Sequence, residues 1–336
     1  MAERSRQAHP SRLITGRPPP YYKTDYGAAY LGDSLEWMKR VRRSSVRLVM
    51  TSPPFALLKQ KSYGTKFDNI APDTYVDWFM KYANEIYDLL TPDGSLVVHL
   101  GGTWVQGQPI KSIYPFKLAI ELCEKSRFKL AQDFYWINKA RLPTPAEWVT
   151  IKRIRLKDAV DPVFWFCKDA TGKTLANNRR VLKPYSKSME ALYKRGYYNH
   201  GLRPSGHRIS PTSFLKRNRG AIPPNYLVLG GTESNTSYLR YTSDKSFNVR
   251  RNPARYPVAL ADFFVKFLTR KGDLVLDPFA GSNSTGEAAQ QRSRRWLAFE
   301  IYEPYLLGSR FRFFTPEQLG LTLPAQQPPV PVPQTS

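Results

Sequence analysis

Two short stretches hold residues whose types and spacing could do chemistry. The first, TSPPFAL, begins at Thr51 and follows an apolar run, VRLVM. Each proline ring fixes φ and removes a backbone N–H, so two in succession, Pro53 and Pro54, disfavour continuing the strand. The pair either closes a strand in a plain turn or holds Ser52 and Phe55 as a rigid cradle for a flat substrate. The second stretch, LVLDPFAGSNSTGEAA, puts Asp277 at the end of an apolar strand. A glycine-containing turn from Gly281 to Gly286 follows, and then a helix. That geometry aims helix N–H groups at a ligand, and small residues let the ligand approach the backbone. The turn is neither G-x-G-x-x-G nor a P-loop, because no lysine follows Gly286. Further on, WLAFE ends a second strand at Glu300, from which a carboxylate can grip ribose hydroxyls. Two readings fit: a site for an adenosine-containing ligand, or a simple capped helix with Glu300 exposed.

The elements around these stretches alternate. AAYLGDS reads as a short strand and turn, SLEWMKRV as a helix and VRLVMTS as a buried strand. PDTYVDWFMKYANEIYDLL carries Val76, Phe79, Met80, Ala83, Ile86, Leu89 and Leu90 at helical spacing. DGSLVVHLGG is a turn and strand, PFKLAIELCEKS a helix, and FKLAQDFYWINK and DPVFWFCK are strands. After an irregular stretch, PVALADFFVKFLTR, DLVLDPF, NSTGEAAQQR, RRWLAFEI and EPYLLGSRFRFF resume the alternation. The pattern predicts an α/β fold with a parallel-rich sheet. The expected divisions are a disordered basic arm over 1–20 and a catalytic part over 21–168. A basic recognition region spans 169–252, a ligand-binding part 253–315, and a disordered Pro-rich tail 316–336.

The charge is uneven. The chain has 336 residues and a net charge of +24, with a pI of about 10.0. Residues 169–255 hold seventeen Lys and Arg against four Asp and Glu, so +13 of the total lies in a quarter of the chain. A whole module of one sign is typical of phosphate-backbone tracking, and a nucleic acid is the expected partner. Cys123 and Cys167 make no disulfide framework and no CxxC site. His9, His99, His200 and His207 show no zinc-ligand spacing, so no metal is expected. No apolar run approaches membrane-spanning length, and the basic N-terminus lacks an apolar signal core. A cytoplasmic location and no membrane partner are therefore expected.

TSPPF together with DPFAGSNSTG resembles the amino-methyltransferases that act on DNA using S-adenosylmethionine. With the target motif first, the recognition region between and the cofactor motif last, the order is that of their β group. Serine in the first place of the target motif is similar to the cytosine-N4 kind. YLGDSLE, YVDWF, QDFYW, EWV, KDAV, RPSGH, IPPN, ESN and PARYP extend a resemblance to the PvuII-type enzymes over residues 25–315. It implies a seven-stranded, mostly parallel, doubly wound sheet. It also implies that Asp33 bonds the cofactor adenine amine and that Glu300 holds the ribose. Asp277, Pro278, Phe279, Gly281, Ser282, Asn283 and Thr285 would form the cofactor loop, and PARYP would help close the pocket. Ser282 stands where the family has a second close glycine.

The resemblance gives TSPPF a task. The cytosine N4 lone pair is delocalised into the ring, so an enzyme must orient the amine and draw that pair out of conjugation. The Ser52 hydroxyl and the Pro53 carbonyl can accept the two N–H bonds, the prolines hold them still, and Phe55 can stack on the base. The base must leave the duplex to be reached. His99, ending SLVVHL, accepts the released proton directly or through Ser52, or else only packs. Lys61, Ser62, Tyr63 and Gly64 form either a loop over the base or a surface loop. Arg203, His207, Arg208, Asn218, Arg219 and Asn225 are the candidates for DNA contact, and a short palindrome such as CAGCTG is the implied target. The alternatives are an adenine-N6 enzyme, a DNA-binding module without catalysis, and a protein-glutamine methyltransferase. A monomer suffices for a palindrome modified one strand at a time, and a separate restriction endonuclease is an expected associate.

Overall fold

The structure is a computed structural model that describes residues 8–55, 70–71, 74–105, 107–169, 171–231, 236–244 and 247–321. Lys61, Ser62, Tyr63 and Gly64 lie outside the described residues. In chain order the strands and helices are β1 (Tyr22–Lys23), β2 (Gly27–Leu31), α1 (Ser34–Arg40), β3 (Val46–Thr51), α2 (Tyr75–Leu89), β4 (Leu90–His99), α3 (Tyr114–Glu124), β5 (Lys129–Ile137) and β6 (Val160–Cys167). After these come α4 (Lys187–Arg195), β7 (Gly201–Leu202), β8 (Arg208–Ile209), β9 (Tyr226–Val228), α5 (Ser237–Ser243), α6 (Val258–Leu268), β10 (Leu274–Asp277), α7 (Ser284–Gln291), β11 (Arg295–Glu300) and α8 (Glu303–Ser309). The main sheet runs β1-β2-β11-β10-β3-β4-β6-β5-β9. From β2 to β4 every pairing is parallel, while β6 is antiparallel to both β4 and β5.

Side chains on successive strand residues point to opposite faces, and here both faces are covered. On one face Val46, Val49, Leu96, Val98, Leu274, Leu276, Leu297 and Phe299 pack with Met38, Phe79, Ile86, Leu118 and Leu122 from α1, α2 and α3. On the other Leu48, Met50, Val97, Val275, Trp296 and Ala298 pack with Leu260, Phe264, Leu268 and Ala288 from α6 and α7. The expected doubly wound α/β sheet is therefore present. It has nine strands in place of the expected seven. The additions are its outermost strands, β1 and β9, two and three residues long. Such short strands show no periodicity in a sequence, and they form because they satisfy the open backbone groups of β2 and β5.

Three further expectations are corrected. The arm is not irregular throughout, since Pro10–Leu13 form a 3-10 turn, Ile14 is buried in the core and Ile14 bridges Val41. A lone apolar residue has no period to read, but burying it orders its neighbours. At the other end, Glu317–Leu319 also form a 3-10 turn. The basic region, too, is joined to the sheet more closely than its composition implies. A bridge between Lys183 and Ala221 forms a neck that closes off residues 184–220, and after this part the chain returns to the main sheet as β9 beside β5. Before the neck, Arg180 donates to the carbonyl of Thr269 (2.6 Å) at the end of α6.

One close approach fixes the β2 edge. A Cβ on Gly27 would lie 2.0 Å from the buried Trp296 ring. Gly27→Ala is expected to cost about 1–3 kcal/mol by forcing that ring off its seat on Phe313. Urea unfolding checks this, and an unchanged midpoint would refute the packing account.

Candidate active site

The C-terminal ends of five parallel strands meet along one edge of the sheet, the usual place for a ligand crevice in an α/β fold. β3 delivers Ser52–Phe55, β4 His99, β10 Pro278–Gly281, β11 Glu300, and β2 Asp33 and Ser34. Between them lies a cleft open to solvent. Its lining includes Ser52, Pro53, Pro54 and Phe55 from the first motif and Pro278, Phe279, Gly281 and Glu300 from the second. Residues so distant in sequence share this lining because β3 and β10 are neighbours, pairing Leu48 with Val275 and Val49 with Leu276.

At the substrate end, Ser52 Oγ lies 3.0 Å from His99 Nδ1, and His99 Nε2 lies 3.1 Å from Asp161 Oδ2. Arg141 grips Asp161 with both terminal nitrogens, Nη1 on Oδ1 at 2.9 Å and Nη2 on Oδ2. Burial alone would raise the Asp161 pKa. The bonds from Arg141 and His99 outweigh it and hold the carboxyl well below its usual range. An ionised carboxylate only accepts, so the proton on His99 sits at Nε2. In the neutral ring Nδ1 is then free to accept the Ser52 hydroxyl proton. This turns the Ser52 lone pairs toward the cleft as acceptors. Phe55 meets the His99 ring edge-on at 5.5 Å, and Trp136 does so at 5.2 Å. A Cβ on Gly101 would lie 2.5 Å from the Phe55 ring, so only glycine leaves that ring its place.

Asp161 and Arg141 were not legible in the sequence. His99 opposes Val163 in the β4–β6 ladder, so Asp161 is its diagonal neighbour on the same face. A β6 register shifted by one residue would have turned Asp161 away.

At the cofactor end the structure divides the expected residues. Glu300 is buried, and its oxygens accept from the N–H groups of Gly281 (2.7 Å) and Tyr302 (2.8 Å). Burial pushes its pKa up to about 7 despite these bonds. The capped helix is real, but Glu300 is not its exposed companion. Asp33 uses Oδ1 to cap α1 on the N–H of Leu35 (2.9 Å), and Ser34 beside it lines the cleft. Asp277, Ser282, Asn283 and Thr285 do not line the cleft and are corrected to braces behind it. Asp277 accepts from Thr51 Oγ1 (2.7 Å), Phe279 N (3.1 Å), Thr285 Oγ1 (2.7 Å) and the Tyr256 hydroxyl (3.0 Å). Asn283, at φ +58°, caps α7 through the N–H of Gly286 and donates to the Tyr22 hydroxyl. Ser282 is held through its carbonyl and hydroxyl by Arg312. Buried polar groups need such partners, and these four find them inside the fold. From PARYP, Ala254 lines the cleft beside Asn252, Tyr302 and Tyr305, which the sequence did not single out.

Among the DNA candidates, Arg203, His207, Arg208, Asn218 and Arg219 lie on the part beyond the Lys183–Ala221 neck, and all but the half-buried Arg203 are exposed. Asn225 lies outside it and is corrected. Its side-chain amide donates to the Asp133 carbonyl (3.0 Å) and its own carbonyl accepts from Tyr135, so it braces β5. Among the described residues there is no group of three or more His, Cys, Asp or Glu placed to hold a metal ion, and no helix long and apolar enough to cross a membrane.

Comparison with known proteins gives this edge of the sheet a lineage. The DNA methylase family model covering N6 and N4 methyltransferases matches residues 46–309. The chain is 45% identical to type II methyltransferase M.PvuII of Proteus hauseri over 88% of this chain and 85% of that one. The solved PvuII DNA methyltransferase (cytosine-N4-specific) superposes with a TM-score of 0.70 and 38% identity, covering 88% of this chain and 89% of that one. A putative DNA modification methylase of Thermus thermophilus, complexed with S-adenosyl-L-methionine, shares the fold at 20% identity and a TM-score of 0.51, covering 85% of this chain and 92% of that one. With both motifs on one cleft and the match spanning most of the sheet, the chain belongs to the N6/N4 DNA methylase family.

Proposed function

We propose that the protein methylates N4 of a cytosine flipped out of duplex DNA, using S-adenosylmethionine. The observation that carries this reading is the shared cleft, with the Ser52–Phe55 cradle on one side and the Gly281–Glu300 cofactor wall on the other. The residues present fit the cofactor. Glu300 keeps lone pairs for a ribose diol, Phe279 and Tyr82 supply apolar walls, and Ser34 and Asn252 add polar atoms. When bound, the cofactor supplies an activated sulfonium methyl group and leaves as the neutral thioether. The protein's own part is to orient the amine and take up a proton. Ser52 Oγ and the Pro53 carbonyl accept the amine N–H bonds, which draws the nitrogen lone pair out of conjugation with the ring. As the N–CH3 bond forms, a proton passes from nitrogen to Ser52 and the serine proton moves to His99 Nδ1. The imidazolium is stabilised by the ionised Asp161. Ser52 in the first motif place, with M.PvuII as a 45% identical relative, supports cytosine over adenine. The basic part beyond the neck holds the duplex. We further propose that the enzyme acts as a monomer, one strand at a time, protecting sites from a separate restriction endonuclease.

Methyl transfer from labelled cofactor to duplex DNA, followed by nucleoside analysis, is expected to yield N4-methylcytosine. N6-methyladenine alone would overturn the base assignment, and no transfer to any DNA would favour a binding module. Ser52→Ala and His99→Ala should each lower turnover about 10²–10⁴-fold. Cofactor affinity should stay within about twofold of wild type, and wild-type turnover in either variant removes that residue from the proton path.

The Glu300 carboxyl gives a pH signature. Ribose hydroxyls donate to the ionised form, so cofactor affinity should fall as pH drops below about 7. Because its pKa rises on folding, the stability this group contributes to the unliganded fold is present below its ordinary 4.5 and is lost as pH rises to about 7. The loss is about 3 kcal/mol. Calorimetric titration of the cofactor between pH 5.5 and 8 should show the affinity slope in wild type and a flat, weaker profile in Glu300→Gln. Parallel slopes would show that Glu300 does not titrate in the site.

A further inference from the structure

The loop between β5 and β6 leaves the sheet beside the active site, and its outer surface is exposed. Ile137 pairs with Val160 at its base, and His99 pairs with Val163 just below. Residues 138–159 therefore leave the sheet at the end where β4 delivers His99. The loop is rooted in the catalytic machinery. Arg141 grips Asp161, and Asp158 accepts from Trp104 Nε1 (2.7 Å) and Lys111 Nζ (3.0 Å). Trp104 and Lys111 flank the Gly101–Gly102 turn that touches Phe55, since a Cβ on Gly102 would meet Lys111 Nζ at 2.9 Å. Trp148 is buried under the loop, and its carbonyl accepts from the N–H groups of Ile154 (2.9 Å) and Arg155 (3.2 Å).

The inner face thus holds the loop in one shape, while the outer face carries exposed apolar side chains among cations. Leu156 is 88% exposed, Leu142 75% and Ile151 74%. Single exposed apolar residues are ordinary on a protein surface. Here they share one short segment with Arg153, Arg155 and Lys157, whose side chains bond backbone carbonyls among the described residues. Cations flanking an apolar tip match a duplex, whose phosphates take the charges while a base step takes the wedge.

We propose that the β5–β6 loop is a second DNA-engaging element, in which Leu156 enters the stack at the place the target base vacates and Arg155 and Lys157 hold the adjoining phosphates. The occupant is duplex DNA, so the proposal rests on the functional reading above. A flipped base leaves an unstacked gap, and an apolar side chain filling it lowers the cost of keeping the base out. The residue with this role should then matter when the target cytosine is paired and not when it is already unpaired.

The test measures turnover on two duplexes containing the sequence that the wild-type protein methylates, one fully paired and one with an abasic site opposite the target cytosine. Leu156→Ala should lose at least about tenfold on the paired duplex and less than about twofold on the other, with Leu156→Phe retaining activity on both. Arg155→Gln combined with Lys157→Gln should raise KM on both duplexes and lower the salt dependence of binding by about two charges. An equal effect of Leu156→Ala on the two duplexes overturns the wedge, and an unchanged KM and salt slope overturn the phosphate contacts. If the wild-type protein methylates neither duplex nor any other DNA, the functional reading fails and this one fails with it.

Discussion

The site depends on one parallel pairing, that of β3 with β10. Val49 opposite Leu276 sets the register, and one hydrogen bond beyond it, from Thr51 Oγ1 to Asp277 Oδ1 at 2.7 Å, ties the two strand ends together. Past that bond each chain turns into its own motif, Ser52 to Phe55 on one side and Pro278 to Gly281 on the other. Both motifs are short, and both begin at the edge of a sheet packed on two faces. Their separation across the cleft is thereby fixed by the inter-strand spacing rather than by flexible loops. Methyl transfer needs its two reactants held in line at close range, and adjacent strands of a rigid sheet supply that.

Three buried carboxylates at this edge show how surroundings assign roles to one functional group. Asp277 accepts four hydrogen bonds from groups of the fold, which leaves it a structural knot. Glu300 accepts two backbone N–H bonds, faces the cleft, and has its pKa pushed up to about 7 by burial. Asp161 is buried as well, but the Arg141 guanidinium keeps it ionised, and an ionised Asp161 sets the tautomer of His99. The differences come from hydrogen-bond count and neighbouring charge rather than from residue type. They also explain why Ser52 points its lone pairs at the cleft: its proton already has an acceptor.

Much of the site was readable where local chemistry and chain order sufficed. Two successive prolines lose two backbone donors, so Pro53 and Pro54 after VRLVM mark a strand end more strongly than a single proline such as Pro162 in β6. The apolar runs ending at His99, Asp277 and Glu300 could only be buried strands, and the glycine turn before α7 could only approach a ligand or cap a helix. The residues missed belong to another class. Asp161 and Arg141 reach His99 through strand register, Asn252 and Tyr302 reach the cleft through packing, and Asn225 is turned onto the Asp133 carbonyl by the β5–β9 pairing. Partners of this kind follow from which strands become neighbours.

The sequence by itself determined the alternating α/β elements, the two motifs and their order, and the concentration of positive charge between them. Periodicity, backbone restriction at proline and glycine, and charge are local properties, so they can be read locally. The tertiary structure alone decided that Asp277, Ser282, Asn283 and Thr285 brace the loop from behind while Phe279, Gly281 and Glu300 face the cleft. It alone decided that His99 is backed by Asp161 and Arg141, and that Ile14 anchors an arm with no pattern of its own. The physical reason is the same in each case. A buried polar or apolar group takes whichever partner the packed sheet brings within bonding distance, and no stretch of chain carries its partner's position.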